Sequence, residues 1–557
     1  MEDTVLKTLA TFVEEDGGFP NDNIFNTLLP IAREVDQPIF HDPTKGVNAT
    51  YDQFITDVIH MRHQLRQHLS AYLDPQNPTI FGDSVLICTL SHANYEYAVA
   101  AFAILALGAT LVPIPTNTSP ELLLHHLRRS PVKYVLASDD FRETASQFQA
   151  FANQNFLPEI RVESIPTMNT CPATLWDLPN LTVSEEITIP ESRPGIIFFS
   201  SGSTGVPKGI VHSRGYFYNR PRLDSDEGFF VHRPASWLAG TMPLVAAVLG
   251  GARAEIISPY APGKEFWDRL RSDKITRITS TVVLWEKLAH YFKDHLMNHP
   301  EREYYVAGLH HLRSPMIGAS VPVPSLLNFY RHELKKPLSH RYGLTETGKL
   351  IAGMTAEEDA SIEKHRCIGK QLFPEHPFKI SDEGELLIGG LTTLLGYLND
   401  EAATKKAIDE EGWFHTGDLC HRDGDYYFFD GRASADFIKT AGGPVPVCQL
   451  EDVVQSLEYF KMAYVIPVED EVVGRRVGVI ARPVGEPVDI HRVRADLATL
   501  VLPHMLPSAF RLLEEHETMP VTYTDKISKK GVMKKYFACD AEGKLPQDVE
   551  LIDLEFK

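Results

Sequence analysis

Positive charge, paired cysteines and long apolar runs are all in short supply in this sequence. The six cysteines, Cys88, Cys171, Cys367, Cys420, Cys448 and Cys539, are scattered with no CxxC pair. That spacing argues against a disulfide scaffold or a structural zinc site and makes a reducing, cytoplasmic compartment the expectation. The first residues carry no basic segment followed by an apolar one, and the last three, Glu555-Phe556-Lys557, are not a peroxisomal tripeptide. The longest apolar stretch, Tyr97 to Ile114, is interrupted by Gly108 and closes on Pro113 and Pro115. It therefore reads as a buried helix followed by a strand, with no membrane span. Lys and Arg number 54 against 74 Asp and Glu, a net charge of -20. A surface of that sign repels phosphate backbones and anionic lipid unless a local basic patch overrides it, so nucleic acid is not an expected partner.

What is present is ordinary globular material, 43% hydrophobic and 23% charged over 557 residues, enough for three or four units or for two large domains. Helical spacing over 50–75 (Phe54, Val58, Met61, Leu65, Leu69) precedes an apolar strand at 84–90. Helix and strand then alternate: 98–107, 110–114, 120–129, 133–137, with further strands predicted at 196–199, 253–258, 277–283 and 340–342. This predicts an α/β fold, a large N-terminal domain of stacked α/β sheets. From about residue 380 closely spaced turns, such as Gly412-Trp413 and Asp423-Gly424-Asp425, predict a β-rich antiparallel annex. Beyond about 432 a helix (449–457), two strands (463–468, 476–481) and another helix (491–502) predict a small α+β C-terminal domain. The expected division is 1–431 and 432–557. No internal repeat or low-complexity segment is found.

The segment IFFSSGSTGVPKG, 197–209, delivers a strand into a loop holding Ser200, Ser201, Gly202, Ser203, Thr204, Gly205 and Lys208. Glycines let backbone N–H groups approach an anion, hydroxyls add donors and a lysine adds charge, which suits a polyphosphate. The spacing is not that of a Walker loop, and alone such a segment reads equally well as a surface turn. Four more segments follow: RYGLTETG at 341–348, WFHTGDL at 413–419, FDGRASADFIKTAGG at 429–443 and MPVTYTDKISKK at 519–530. Taken singly, Asp418 and Glu346 read as turn or helix caps, Lys526 as part of a solvated basic run with Lys529, Lys530, Lys534 and Lys535, and His415 as a packing residue.

Together, in this order and at these separations, the five segments resemble the adenylate-forming superfamily of acyl-coenzyme A synthetases, peptide-synthetase adenylation domains and beetle luciferases. The likeness runs from about residue 50 to 540 and is strongest, in motif texture, to malonyl-CoA-synthetase-type and medium-chain acyl-CoA ligases. It implies ATP-dependent conversion of a small carboxylic acid to acyl-AMP with pyrophosphate release, then transfer to the thiol of coenzyme A, with Mg²⁺ assisting. Ser200, Ser201, Gly202, Ser203, Thr204, Gly205 and Lys208 would wrap the β and γ phosphates. Gly318-Ala319-Ser320, Arg341, Tyr342 and Gly343 would border the adenine, Thr345 would stand beside the metal-holding Glu346, and Asp418 would accept from the ribose hydroxyls. Arg432 would reach ribose or phosphate, and Lys526 would bridge the substrate carboxylate and the α-phosphate. The small domain would rotate about a hinge near Asp430 and Ser434, presenting Lys526 for the first half-reaction and the pantetheine-tunnel segment around Gly442 for the second.

The sequence also departs from the family pattern. Asp525 stands where a glycine usually precedes the catalytic lysine, and Thr440 to Pro444 lacks the aromatic and basic residues common beyond the tunnel glycine. Trp237 occupies the place of the usual aromatic or histidine gate, and Arg253 is shifted from where a malonate-binding base would stand. An uncharged acyl tail is therefore expected, lined by Trp237, Gly240, Thr281 and Val282. Two alternatives stand beside the free-standing CoA ligase. One is an acyl-AMP ligase that loads a separate carrier protein or another enzyme, and the other is a non-catalytic nucleotide-binding relative.

Overall fold

The structure is a computed structural model that describes residues 18–83, 85–116, 118–121, 134–155, 161–165, 181–199, 208–322, 324–355, 358, 366–432, 437–440, 443–470, 474–522, 527–540 and 544–552. Two large sheets organise the N-terminal domain. The first has seven strands, in the order Leu394–Tyr397, Gly209–Ser213, Pro194–Phe199, Thr110–Pro113, Leu86–Leu90, Tyr134–Ala137 and Arg161–Ser164. Its centre is parallel, while Gly209–Ser213 runs antiparallel to both neighbours. In the second sheet Ser314–Gly318 lies between Arg277–Thr281 and Ser339–Tyr342, all parallel, and Arg277–Thr281 continues to Gly228–Val231 and Arg253–Ile256.

Sequence and packing agree on why these elements form. The helix Tyr95–Ala106 starts where Asn94 Oδ1 accepts from the Tyr97 amide at 2.9 Å, and all but one of its residues are buried. It lies with helices Asn23–Glu34, Tyr51–His68 and Leu238–Gly250 in a core shared by one face of each large sheet, from Ile87, Leu111 and Ile196 to Val231 and Ala254. The expected helix-then-strand at 97–114 is thus interior structure, and no described helix is long and apolar enough to cross a membrane. The opposite face of the second sheet is covered by helices carrying Phe266, Trp267, Trp285, Leu288 and Tyr330.

Three boundaries differ from the sequence expectation. The strand at 277–283 ends at Thr281, because Leu284, Trp285 and Leu288 repeat at helical spacing and bury one face of the helix Val282–Tyr291. The antiparallel annex starts earlier than residue 380: Ala352–Gly353 already pairs antiparallel onto Ser339–Tyr342 and Cys367–Gln371 onto Ala352–Gly353, so the annex extends the second sheet. The helix expected to reach 502 stops at Leu497, the last of Ile490, Val493 and Leu497 to be buried, leaving Leu500 and Leu502 exposed. The helix expected at 120–129 lies almost wholly outside the described residues.

The smaller C-terminal domain has its own core. Phe460–Asp470 and Gly474–Pro483 pair antiparallel, Ala509–Leu512 adds in parallel, and Val465, Val479, Phe510 and Leu450 of the helix Val447–Gln455 pack together. Polar groups of the described residues face each other between it and the larger domain. Arg366 pairs with Asp452 of that helix, and Tyr464 lies within the field of Glu286 on the helix Val282–Tyr291. Burial pushes the Glu286 carboxyl up to about 7 from 4.5. The folded state then holds a proton that the unfolded chain releases near 4.5, so this group lowers stability as pH rises from about 4.5 to about 7. Glu286→Gln, which cannot ionise, is expected to gain on the wild type in thermal midpoint between pH 5 and pH 8. A difference that stays constant with pH would show that Glu286 ionises normally.

Candidate active site

Four parallel strands of the second sheet end along one edge, and the chain leaving each end carries residues singled out by sequence. Gly228–Val231 leads to Trp237, Arg277–Thr281 to Val282, Ser314–Gly318 to Ala319 and Ser320, and Ser339–Tyr342 to Gly343, Thr345 and Glu346. Carboxyl ends of parallel strands are where open α/β sheets receive ligands, since the loops there diverge and leave a crevice. Thr281 and Gly318 face one another in register. A Cβ on Gly318 would stand 2.9 Å from the Arg341 carbonyl oxygen, so the strands close up only because the residue is glycine. Ala319 takes φ +67, turning the chain sharply at the edge.

Asp418 is the hub of the polar cluster at this edge. Its carboxylate is 2% exposed and accepts from the Tyr342 hydroxyl at 2.7 Å and from Arg432 Nε at 2.8 Å. Asp418 and Arg432 are opposite partners in the antiparallel pair Phe414–Asp423 and Tyr426–Arg432, so the ladder itself sets the ion pair. Burial opposes the Arg432 charge, but the Asp418 carboxylate more than offsets this and holds the guanidinium pKa above its usual value. Glu346 receives the Tyr397 hydroxyl at 3.0 Å and lies within the fields of Arg432 and Asp418. Burial, with Asp418 adding to it, raises its carboxyl pKa. Lys208 Nζ stands 4.8 Å from the Tyr397 ring centre, on the chain entering Gly209–Ser213. One tyrosine thus links the lysine that leaves the Gly/Ser-rich segment to the carboxylate of the Thr-Glu pair.

Behind this pair stands His212, fully buried, whose Nε2–H donates to the Thr345 carbonyl at 2.8 Å. Burial lowers its pKa to about 4, so the ring is neutral at ordinary pH and serves as a donor in a fixed tautomer. Among the described residues no three His, Cys, Asp or Glu side chains gather to hold a metal ion by themselves. Glu346 offers one oxygen-donor carboxylate in a setting that disfavours an unaccompanied negative charge. That fits Mg²⁺, which is commonly bound by one or two carboxylates together with substrate phosphates.

The four residues expected to line an acyl tail are also brought together. Arg233 reaches from the chain before Trp237 to Thr281 Oγ1 at 2.6 Å and Ser280 Oγ at 2.7 Å, with its Cζ 5.1 Å from the Trp237 ring centre. Gly240 presses on the Pro234 carbonyl, where a Cβ would fall at 2.0 Å. Val282 opens the helix capped by Thr281.

Other expectations are not gathered here. Arg341 alternates to the face opposite Tyr342 and donates to the carbonyls of His340, at 3.1 Å, and Met354, so it does not join the Asp418 cluster. Asp430 is paired with His421 at 2.8 Å. Ser200, Ser201, Gly202, Ser203, Thr204, Gly205, Ser434, Gly442 and Lys526 lie outside the described residues. Beyond Lys526 the chain is anchored: Ser528 caps the helix Lys529–Tyr536, and Lys529 pairs with Glu451 at 2.8 Å. Tyr397, His212 and Arg233 were not foreseen. Only the Gly396-Tyr397 pair, a turn-like glycine before an aromatic residue, carried any local signal.

Comparison with known proteins follows the same lines. Residues 36–398 match the profile of the AMP-binding enzyme family. The chain is 30% identical over 532 residues to the acyl-CoA ligase oryP of Aspergillus oryzae, covering 93% of each chain. It is 24% identical to the human mitochondrial malonate–CoA ligase ACSF3, over 79% of this chain and 81% of that one. Its fold superposes with a TM-score of 0.70 on O-succinylbenzoate coenzyme A synthetase (MenE) from Bacillus subtilis in complex with ATP and magnesium ion, at 20% identity, covering 91% and 98% of the two chains.

The Asp418 cluster makes a direct prediction. Asp418→Ala strands the Tyr342 hydroxyl and the Arg432 guanidinium without their acceptor, and a loss of about 1–3 kcal/mol is expected in chemical denaturation. Asp418→Asn, which keeps one acceptor oxygen, is expected to lose less. Equal midpoints for all three proteins would show that the carboxylate has no structural share.

Proposed function

Because the chain belongs to the AMP-binding enzyme family, we propose that it is an AMP-forming acid–thiol ligase that activates a carboxylic acid with ATP and Mg²⁺ and passes the acyl group to coenzyme A. The observation that carries this reading is the convergence of Asp418, Arg432 and Tyr342 with Glu346, Tyr397 and Lys208 at one strand edge. The names of its relatives, an acyl-CoA ligase and a malonate–CoA ligase, support a thiol acceptor, and the MenE complex supports ATP with Mg²⁺.

The chemistry asks for what these residues provide. A carboxylate must approach the α-phosphorus of a polyanion, and like charges about 4 Å apart repel by about 4 kcal/mol at an effective dielectric near 20. Lys208, the segment Ser200 to Gly205, and Lys526 bring the offsetting charge and donors to the phosphates, while Glu346 beside Thr345 would hold Mg²⁺, which spreads charge over nonbridging oxygens. Asp418 retains acceptor capacity for ribose hydroxyls, because each carboxylate oxygen accepts more than the single bond it receives from Tyr342 or Arg432. Tyr342 and Gly343, with Gly318, Ala319 and Ser320, border the base. The acid's oxygen attacks the α-phosphorus and pyrophosphate departs. The thiol then adds to the acyl carbonyl, and AMP leaves with the electrons of the mixed-anhydride bond.

Lys526 and the incoming thiol compete for the same carbonyl. The C-terminal domain, 432–557, therefore turns about Asp430 and Ser434, exchanging Lys526 for the segment around Gly442. The scattered cysteines, with no CxxC pair, go with a cytoplasmic site of action. A panel of carboxylic acids scored for pyrophosphate release, with and without coenzyme A, is expected to yield acid-dependent release and a thioester product. Release that needs a carrier protein instead would replace coenzyme A as acceptor, and no release with any acid would reject ligase activity. Lys526→Ala is expected to lower acyl-AMP formation by about 10²-fold or more while sparing thioester formation from supplied acyl-AMP. Equal loss in both half-reactions would reject its assignment.

A further inference from the structure

We propose that Arg220 closes the far end of the acyl pocket and selects acids whose tail ends in an oxyanion, a carboxylate or a phenolate. This deepens the ligase reading and rests on it. It also reverses the expectation of an uncharged tail, which came from Trp237, Gly240, Thr281 and Val282 at the near end alone.

The helix Leu238–Gly250 leads away from Trp237, and its residues Leu238, Met242 and Ala246 stay partly exposed while most of the others are buried. Spaced by four, they form one apolar stripe along a single face, a wall suited to an acyl chain. The segment Tyr216 to Leu223 borders the same helix. Tyr216 lies within the field of Tyr97, whose hydroxyl meets Thr241 Oγ1 in the first turn at 2.6 Å, and the Leu223 amide donates to the Gly250 carbonyl at the other end, at 2.9 Å. Arg220 stands between these two points of the chain. From the active-site side, Gly348 packs on the Tyr216 ring, where a Cβ would fall 3.2 Å from Cδ2. That brings Lys349, three residues beyond Glu346, within the field of Arg220.

Two cations thus lie at this end. Lys349 has Glu375 at 3.7 Å, whereas among the described residues no carboxylate pairs with Arg220. The Arg220 Nη2 donates to the Tyr216 carbonyl, its Cζ lies 5.4 Å from the Tyr216 ring centre, and its Nε is buried with no hydrogen-bond partner. Burial pushes the guanidinium pKa below its usual value, and burial, with Arg220 adding to it, does the same to the Lys349 ammonium. A carbonyl and a ring face offset only part of the cost of a buried charge. The Tyr216 hydroxyl is also buried without a partner, and burial pushes its pKa up to about 12, so it keeps its proton to donate. A guanidinium fork beside a phenol donor matches an oxyanion, and the nearby ammonium adds to the attraction. A purely apolar tail would strip water from Arg220 and give no acceptor in return.

The test pairs acids with counterparts in which only the tail oxygen is methylated, scored by ATP-dependent pyrophosphate release: α,ω-dicarboxylic acids of graded length against their monomethyl esters, and hydroxyaryl carboxylic acids against their methyl ethers. Wild type is expected to favour at least one parent acid over its methylated counterpart by about tenfold or more in kcat/KM. Preference within the first set assigns a carboxylate, within the second a phenolate. Arg220→Met is expected to bring that ratio to within about threefold, mainly through KM, with Arg220→Lys intermediate because it keeps the charge without the fork, and Tyr216→Phe a smaller loss. Wild type that turns over the methylated counterparts as well as the parent acids overturns the proposal whatever the variants do. So does an Arg220→Met protein that keeps the wild-type ratio, or an Arg220→Lys protein that keeps it where the Met variant does not fold. Release with neutral-tailed acids alone sinks the oxyanion and leaves the ligase standing, whereas no release with any acid rejects the ligase and this inference with it.

Discussion

One buried carboxylate, Asp418, ties the end of a parallel strand to an antiparallel hairpin. Tyr342 ends a parallel strand, Asp418 lies in an antiparallel one, and Arg432 is the last residue of that strand's hairpin partner. A carboxylate in the interior must be met by donors or protonated, and here a phenol and a guanidinium meet it from the two sides. The parallel sheet and the antiparallel annex are thereby fixed in register at the residue where they join. The same guanidinium lies within the field of Glu346, so the hub that closes the sheet also arranges charge at the strand edge.

Charge placement explains how a chain of net charge -20 can serve anionic substrates. The global field opposes ATP, and exposed charges more than about 10 Å away are largely screened at ordinary salt. What remains is local, and locally the edge presents Arg432 on Asp418 and Lys208 beside Tyr397, whose hydroxyl donates to Glu346. Tyr397 and Tyr342 donate neutral hydroxyls to Glu346 and Asp418, so these carboxylates are met in part by uncharged groups, while Arg432 pairs with Asp418. Both phenols are correspondingly held well above their usual pKa, burial being the larger cause and the adjacent carboxylates the next.

The sequence was most readable where a local pattern and a chemical requirement coincide. Tyr342 and Asp418 were identifiable from short segments, and Gly318 from its likeness to a family turn, whereas the strand carrying Thr281 was read two residues too long. The contacts that organise the edge were not readable, because they join residues far apart in sequence: Tyr397 and Glu346 are separated by 51 positions, Arg233 and Ser280 by 47, and His212 and Thr345 by 133. No periodicity encodes such pairings. Arg233 was passed over for a related reason, since nothing local marks a residue between a histidine and a proline, and only folding shows it buried against a neighbouring strand. Arg341 shows the converse: a segment match gave it a place near the base, but strand alternation sends it to the other face.

The same reasoning bears on how the two domains work together. If Lys526 is to leave the edge after the first half-reaction, the contacts holding the small domain must be exchangeable, so a large apolar interface would be an obstacle. The contacts identified between them are of the required kind. Arg366 pairs with Asp452 and is itself held at φ +65, an uncommon backbone state for a side-chain-bearing residue. Glu286 near Tyr464 and His290 near Lys461 place titratable groups on both sides. Polar groups of this sort find water when they part, whereas apolar surfaces would lose burial at about 25 cal/mol per Å². The small domain has its own cores, built on Val465, Val479 and Phe510 and on Ile466, Ile480 and Val532, as the proposed turning would require. Rigidity inside each domain and polarity between them are thus one requirement of the proposed reaction, in which two different partners would approach the same carbonyl in turn.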